Sequence, residues 1–177
     1  MIGVDTRLPT EGSFHISQGE FAVGRSQATI STILGSCVAT CLHDPIAGIG
    51  GMNHFLLPEG TGTGVAAASF GANAMELLIN AMIKAGASRN RMQAKVFGGA
   101  RMVAGLSDIG ARNAHFVIDF LQREGLDCVG QSLGGNEARR VQFWPGDGRA
   151  RQKLVGRTDL NEKPVPKPAA GNGVELF

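Results

Sequence analysis

Short apolar runs broken by glycine dominate the first third of the chain. Residues 19–45 contain two or three such runs, rich in Val, Ile, Thr and Phe, which are typical of β-strands. A further run at residues 47–57 ends before Pro58, because proline cannot donate a hydrogen bond to a sheet ladder. Residues 59–65, with the sequence EGTGTGV, predict a flexible glycine loop. The pattern therefore predicts a group of strands ahead of the first helix.

The hydrophobic period becomes helical between about Gly71 and residue 85. Apolar residues recur there three and four positions apart, which predicts an amphipathic helix with Gly86 at its C-terminal cap. The repeating positions are Ala74, Leu77, Leu78, Ala81, Met82 and Ala85. A second helix is predicted between an N-cap at Asp108 and a terminating Gly125. Its apolar face consists of Phe116, Val117, Phe120 and Leu121.

Three more strands are predicted around the second helix. Residues 93–100 precede it and end in a glycine turn, while residues 126–135 and 139–145 follow it and flank the turn GGNEA. The element order is a run of strands, then helix, strand, helix and strands. This order predicts an α+β protein, a layered α/β sandwich with mostly antiparallel strands and two main helices packed on the sheet.

The chain ends are predicted to lie outside the folded domain. Residues 1–18 are polar and mixed, which indicates a loose N-terminal arm. Periodicity is lost after Trp144, and residues 161–173 are rich in Pro and Gly, which is typical of disorder. The predicted organisation is an arm at 1–18, one domain at 19–150 and a disordered tail at 151–177.

The composition mainly excludes classes of function and location. The 177 residues are 43% hydrophobic and carry a formal net charge of +2, with both signs mixed, so neither nucleic-acid nor membrane-surface binding is indicated. Three cysteines, an odd number, argue against a secreted disulfide framework. The N-terminus lacks a signal-peptide pattern, and no apolar run reaches eighteen residues. A cytoplasmic, reduced protein without a membrane-spanning helix is expected.

The combination of Cys37 and His54 is the strongest chemical signal. Cysteine catalysis needs a thiolate, a base and donors for an oxyanion. Cys37 follows Gly35 and Ser36, where glycine allows close backbone approach and the amides of Ser36 and Cys37 could form an oxyanion hole. The turn HDPIAG would fold the strand carrying His54 back beside the strand after Cys37, and a nearby imidazole would depress the thiol pKa. Spacing alone is a weak signal, because most free cysteines only pack in cores.

Other candidate residues receive no catalytic role. Cys41 is expected in the core, His43 in a solvent-facing turn, and Asn53 on the opposite face of its strand from His54. His15 is predicted in the arm and His115 on a polar helix face. A zinc site made of Cys37, Cys41, His43 and His54 is disfavoured because paired ligand clusters are missing, and KVFGGARM lacks the features of a phosphate loop. No metal and no cofactor are predicted.

A family resemblance covers roughly residues 18–144. The stretch LGSCVATCLHDPIAGIGGMNHFLLP resembles the signature of the CheD family, the chemoreceptor glutamine deamidases of bacterial and archaeal chemotaxis. The similarity continues through GANAMELLINAMIKAGA, KVFGGARM, DIGARNAHFVIDFLQREGL and SLGGNEARRVQF. The resemblance implies a layered sandwich related to deamidating bacterial toxins. It also implies hydrolysis of glutamine side-chain amides in methyl-accepting chemotaxis receptors, and it leaves methyl-ester substrates open.

The resemblance also implies residue roles. Cys37 would be the nucleophile and His54 the general base and acid. The family's third catalytic residue is usually a threonine six positions before the cysteine, where this chain has Ser31, with Thr32 next to it. Ser31 is favoured as the hydroxyl that orients the imidazole, with Thr32 as the alternative.

The resemblance further implies a groove and partners. Phe97, Gly98 and Gly99 would help to shape the substrate groove. Methyl-accepting receptor helices would be the substrate, and a CheC-type phosphatase is a possible partner. The chain could instead be a non-enzymatic adaptor for that phosphatase, although the intact Cys37 and His54 favour the enzyme.

Overall fold

The computed structural model describes residues 8–59, 64–103, 108–156 and 174–177. These residues form ten strands, two α-helices and one 3₁₀ turn (Arg89–Arg91). The helices are α1 (Gly64–Lys84) and α2 (Ile109–Arg123). The strands are β1 (Ser13–His15), β2 (Phe21–Arg25), β3 (Thr29–Leu34), β4 (Val38–Asp44), β5 (Ile49–Phe55), β6 (Gln93–Gly98), β7 (Asp127–Leu133), β8 (Ala138–Phe143), β9 (Ala150–Val155) and β10 (Val174–Leu176).

The strands divide into two five-stranded sheets. Sheet A has the order β1-β3-β8-β9-β10, and sheet B has the order β2-β5-β4-β6-β7. The pairs β1–β3 and β6–β7 are parallel, and the other ladders are antiparallel. This architecture confirms the predicted α+β class with mostly antiparallel strands and two main helices.

Sheet B separates two apolar layers. The inter-sheet layer lies between the sheets and includes Ile30 and Phe143 of sheet A with Met52 and Phe97 of sheet B. The helix–sheet layer lies on the other face of sheet B, where its largest fully buried members include Phe55, Met75, Leu78, Ile79, Met82 and Leu121. Strand β5 contributes to both layers because successive side chains on a strand point to opposite faces.

Helix α1 begins at Gly64, earlier than the predicted Gly71. Residues 60–63 of the predicted glycine loop lie outside the described residues. The cap at Gly86 is confirmed: its φ is +111°, and the amide of Ala87 donates to the carbonyl of Met82 at 3.0 Å. Leu77, assigned to the apolar face from its spacing, is 48% exposed.

By length and composition, Val65–Lys84 within α1 is the one helical segment in the described part of the chain that could cross a membrane. The sequence analysis did not indicate this because Asn73, Glu76 and Asn80 interrupt the apolar run. The buried side of α1 packs in the helix–sheet layer.

Helix α2 has the predicted termini. The Asp108 side chain accepts a hydrogen bond from the amide of Ala111 at 2.9 Å, and Gly125 follows the helix with a φ of +66°. Both features match the expected N-cap and stop.

The chain ends contain strands that the sequence pattern did not indicate. Strand β1 falls within residues 1–18 and pairs with β3. Strand β9 follows Trp144 and pairs with β8, while β10 pairs with β9. Most of the predicted tail, residues 157–173, lies outside the described residues. The division into arm, domain and tail stays a prediction.

Candidate active site

Cys37 lies in the loop between β3 and β4, and buried glycines hold this loop from behind. The amide of Gly99 donates to the carbonyl of Cys37 at 2.8 Å, and the amide of Ala100 donates to the carbonyl of Gly35 at 3.0 Å. Gly98 has a φ of +112°, and a Cβ there would overlap the carbonyl oxygen of Cys37. The turn after β6 therefore needs glycine at this position, and it fixes the backbone on which the thiol sits.

A buried asparagine on α2 fixes the same loop from a second direction. The side chain of Asn113 is fully buried and donates from Nδ2 to the carbonyl of Ser36 at 2.8 Å. Its Oδ1 accepts from the amide of Leu57 at 3.0 Å, just after the end of β5. Because the peptide unit is trans and planar, the carbonyl of Ser36 and the amide of Cys37 point in opposite directions. Asn113 thereby directs the Cys37 amide away from the helix–sheet layer.

His54 is buried, with 6% of its surface exposed, near the end of β5. Its Nδ1 lies 2.7 Å from Oγ1 of Thr32 on the facing sheet. The Thr32 hydroxyl donates to the carbonyl of Ile16 at 2.7 Å, so its oxygen is left to accept from Nδ1–H. This arrangement selects the tautomer that carries its proton on Nδ1. Nε2 has no hydrogen-bond partner among the described residues and is available to accept a proton.

The environment keeps the imidazole neutral at neutral pH. Burial, reinforced by the like charge of His15, lowers the pKa of His54 to about 4, and Glu20 opposes this shift. A neutral imidazole with a free Nε2 lone pair is a proton acceptor, as a general base requires.

Cys37 is on the same face of sheet B as His54. Ala39 pairs directly with His54, and Cys37, two residues earlier, packs against the inter-sheet layer as Ala39 does. Diagonal neighbours of this kind lie about 7–8 Å apart between Cα atoms, within reach of longer side chains. The sulfur lies 3.7 Å from Oε1 of Gln18.

The resting thiol does not have the depressed pKa that the sequence analysis expected. Burial raises the pKa of the Cys37 thiol, and a hydrogen bond from the amide of Cys37 itself acts in the opposite direction. Because His54 is uncharged, it supplies no cation that would stabilise a resting thiolate. The chemistry therefore fits proton transfer from sulfur to Nε2 as attack begins.

The prediction that Ser31 is the hydroxyl beside His54 was wrong. On β3 the side chains of Ile30, Thr32 and Leu34 are buried, so alternation turns Ser31 to the other face. The hydroxyl of Ser31 lies 3.4 Å from Nδ1 of His15. The hydroxyl that contacts the imidazole, Thr32, precedes Cys37 by five residues where the resemblance suggested six.

The predicted groove residues lie behind the loop that carries the nucleophile. Phe97 is fully buried in the inter-sheet layer and packs edge-on against Phe177, with ring centroids 5.3 Å apart. Its assignment to a substrate groove was therefore wrong. Gly98 and Gly99 are buried too and support Cys37 from within the protein. Gly35 and Ser36 are half-buried on either side of the loop's bend.

The remaining candidates fall mostly where expected. Cys41 is buried in the inter-sheet layer, and His115 is exposed on α2. Asn53 faces the opposite layer from His54 and accepts from the amide of Thr40 at 2.9 Å. His43 was predicted in a solvent-facing turn, but it lies half-buried on β4, since the strand continues to Asp44.

Metal binding finds no support in the described part of the chain, where no three His, Cys, Asp or Glu side chains are grouped to hold an ion.

Sequence reasoning missed two contributors. Asn113 reads as an ordinary polar residue in a helix, although Phe116 and Val117, three and four residues later, could have indicated a buried face. Ile16, whose carbonyl accepts from Thr32, lies in the segment predicted as an arm. Neither contact can be counted along the chain, because each joins residues distant in sequence.

Together these contacts provide the groups that cysteine-dependent acyl transfer requires. A thiol on a glycine-supported loop lies on one face of a sheet with a neutral imidazole, whose tautomer is selected by a hydroxyl. In sites of this class, the cysteine sulfur attacks the carbonyl carbon of the substrate.

The comparisons with known proteins identify the family. Residues 56–154 match the family model described as CheD chemotactic sensory transduction. A protein of Agrobacterium fabrum is 48% identical over 174 residues, spanning 92% of this chain and 95% of its own length. One from Rhizobium leguminosarum bv. trifolii is 53% identical over 186 residues, spanning 96% and 100%. Both are named probable chemoreceptor glutamine deamidase CheD. The chain belongs to the CheD family.

Among solved structures, a Neisseria meningitidis protein matches with a TM-score of 0.43 and 12% identity, covering 73% of this chain and 63% of its own.

Proposed function

We propose that this protein is a protein-glutamine deamidase, which hydrolyses side-chain amides of glutamines in methyl-accepting chemotaxis receptors and leaves glutamate. The observation that carries the proposal is the Thr32–His54 hydrogen bond of 2.7 Å, which leaves Nε2 free on the face of sheet B that carries Cys37. The names of relatives that align with nearly the whole chain supply the substrate class. The reaction takes place in the cytoplasm, on the cytoplasmic helices of the receptor.

The first half-reaction forms a thioester. Cys37 Sγ attacks the glutamine Cδ while its proton passes to Nε2 of His54, and the carbonyl oxygen becomes an oxyanion. His54 then gives the proton to the amide nitrogen, the C–N bond breaks and ammonia leaves. Thr32 holds the ring throughout and stabilises the imidazolium through Nδ1–H.

The second half-reaction consumes water. Nε2 of His54 takes a proton from a water molecule, which attacks the thioester carbonyl. The C–S bond then breaks, sulfur recovers the proton, and glutamate is released. No further reactant is needed to balance the two steps.

The amide of Cys37 is the proposed oxyanion donor. Asn113 holds the adjoining carbonyl of Ser36, so this amide points away from α2 and toward its own sulfur. A preorganised amide at such a point stabilises developing negative charge without reorganisation. The neighbouring Ser36 amide is the second candidate donor.

The decisive experiment compares two cysteine variants on a receptor fragment. Wild type should raise the mass of a target glutamine peptide by about one dalton as the amide becomes an acid. Cys37→Ala should abolish this shift, whereas Cys128→Ala, which removes an exposed thiol remote from the loop, should retain it. Undiminished deamidation by Cys37→Ala would exclude the proposed nucleophile.

We also propose a CheC-type phosphatase as a second partner, on the family resemblance. A partner that presents a receptor-like segment would cover the loop at Cys37, so binding and deamidation would compete. A pull-down with Cys37→Ala, which keeps the surface but not the thiol, tests the partner separately from catalysis. Failure to retain such a phosphatase would remove it from the proposal without affecting the enzyme.

A further inference from the structure

Residues 16–20, which we call the Gln18 turn, are hydrogen-bonded to His54, the proposed base, and to Thr32, its hydrogen-bond partner. The carbonyl of Ile16 accepts the Thr32 hydroxyl at 2.7 Å. The amide of Gly19 donates to the carbonyl of His54 at 2.8 Å, and the amide of His54 donates to the carbonyl of Glu20 at 3.0 Å. The turn is therefore held by a side-chain hydroxyl at Thr32 and by two backbone hydrogen bonds at His54.

The turn is also closed within itself. The amide of Glu20 donates to the carbonyl of Ser17 at 3.0 Å, and the amide of Ser17 donates to the Glu20 carboxylate at 2.6 Å. Gly19 has a φ of +86°, a conformation that glycine adopts without strain. These contacts fix the backbone from which the Gln18 side chain projects.

The Gln18 side chain ends at the nucleophile. Its Oε1 accepts from the thiol of Cys37 over 3.7 Å. Gln18 carries a carboxamide, the same functional group as the proposed receptor substrate. The enzyme's own chain thus brings a substrate-like group to the sulfur, on a turn that is anchored to Thr32 and His54.

The contact is not an attack geometry. In a hydrogen bond to a carbonyl, the acceptor carbon lies behind its oxygen, so Cδ is further from sulfur than the 3.7 Å of Oε1. Nucleophilic attack requires the reacting atoms to approach to about 3–3.5 Å. The sulfur, moreover, has Oε1 as its hydrogen-bond acceptor, whereas Nε2 of His54 has no partner among the described residues. The amide of Gln18 is therefore bound at the site without being turned over.

We propose that Gln18 occupies the carboxamide subsite of the resting enzyme, as a tethered and unreactive competitor that a receptor glutamine must displace. The proposal rests on the proposed deamidase function for the identity of the subsite. It makes Gln18 a determinant of KM.

The test removes the amide and follows the thiol directly. Gln18→Ala should react with N-ethylmaleimide at Cys37 about three to ten times faster than wild type, since a hydrogen bond of roughly 0.5–1.5 kcal/mol and its shielding are lost. KM for a receptor fragment should fall by a similar factor, with kcat changing little. Gln18→Glu, which sets a carboxylate beside the sulfur, should slow alkylation below the wild-type rate. Ser17→Ala, which keeps the turn's backbone hydrogen bonds, should match wild type.

Each contrary outcome has a distinct meaning. Equal alkylation rates in wild type and Gln18→Ala would overturn the proposal, as would a higher KM in that variant, because Gln18 would then help to bind substrate. Conversion of residue 18 to glutamate in purified wild type, read by mass spectrometry, would also overturn it. The alkylation assay needs no receptor, so it judges Gln18 even if receptor deamidation fails and the proposed function falls.

Discussion

The buried asparagines on one side of sheet B and the buried histidine on the other differ in how their polar atoms are paired. In the helix–sheet layer, Asn53 and Asn113 both bond backbone groups through their side-chain oxygens, at 2.9 and 3.0 Å. In the inter-sheet layer, His54 is bonded only through Nδ1, and its buried Nε2 has no partner among the described residues. Asn53 and Asn113 fix backbone groups in the first layer, whereas His54 in the second keeps one ring nitrogen unpaired.

The paired polar atoms contribute to stability, whereas the unpaired one contributes to the proposed reaction. A buried polar atom without a partner costs free energy of about 1–3 kcal/mol, whereas a paired one does not. The unpaired Nε2 is the atom the proposed mechanism needs, so the inter-sheet layer gives up stability for a reactive group. Asn113 and His54 should therefore respond oppositely to replacement by apolar residues.

The largest expected effect is on catalysis in the inter-sheet layer. His54→Leu should lower kcat roughly 10³-fold, the range expected for loss of a general base. Its free energy of unfolding should stay level or rise, because an unpaired buried nitrogen is removed. Deamidation kinetics and urea denaturation check both parts. A loss of stability comparable with that of a paired asparagine would break the comparison.

The next effect should be on stability in the helix–sheet layer. Asn113→Ala leaves the carbonyl of Ser36 and the amide of Leu57 unpaired, so we expect a loss of about 2–4 kcal/mol in unfolding free energy. Gln122→Ala, at an exposed position of the same helix, is the matched control. Equal stability of the two variants would show that Asn113 does not hold the loop.

A smaller effect tests which hydroxyl orients the base. Thr32→Val should lower kcat by about tenfold to a hundredfold, because the ring loses its orienting partner. Thr32→Ser should restore most of the rate, and Ser31→Ala, on the outer face of β3, should leave it unchanged. A rate loss in Ser31→Ala but not in Thr32→Val would reverse the assignment.

The smallest expected effect is on the titration of His54, whose pKa is lowered. The imidazole of His54 should titrate near pH 4 by NMR, below its usual pKa of 6.5. Between these values the unfolded chain binds the proton and the folded one does not, so this histidine makes stability fall as pH falls from about 6.5 to 4. His54→Leu should lack that part of the pH dependence. A titration midpoint above pH 6 would mean that the imidazole is solvated and that burial does not lower its pKa.

Local patterns predicted most of the helices and strands. The 3.6-residue period, the Asp108 cap and Gly86 are signals contained within a few residues, and they gave both helices. Strands β1, β9 and β10 were missed because each lies in a polar or irregular stretch and is held by its partner strand. Leu77 fits the period of α1 but is exposed, because the width of the buried stripe depends on what packs against it.

The site was predictable only in part, for a similar reason. The family signature pointed to Cys37 and His54, whose catalytic roles stay predictions, but the third residue was taken from an interval along the chain. A difference of one residue on a strand reverses the face of a side chain, so counting placed Ser31 where the fold has Thr32. Phe97 was misassigned because its strand, β6, pairs with β4 beside Cys37, but its side chain points into the inter-sheet layer. The thiol pKa depended on burial, which no motif encodes.

The side chain of Asn113 bonds two chain segments at the same end of the β4–β5 pair, one just before β4 and the other just after β5. One buried amide of α2 thus sets the position of the Cys37 loop relative to the segment that follows His54. A change in the packing of α2 would reach both segments through this single side chain.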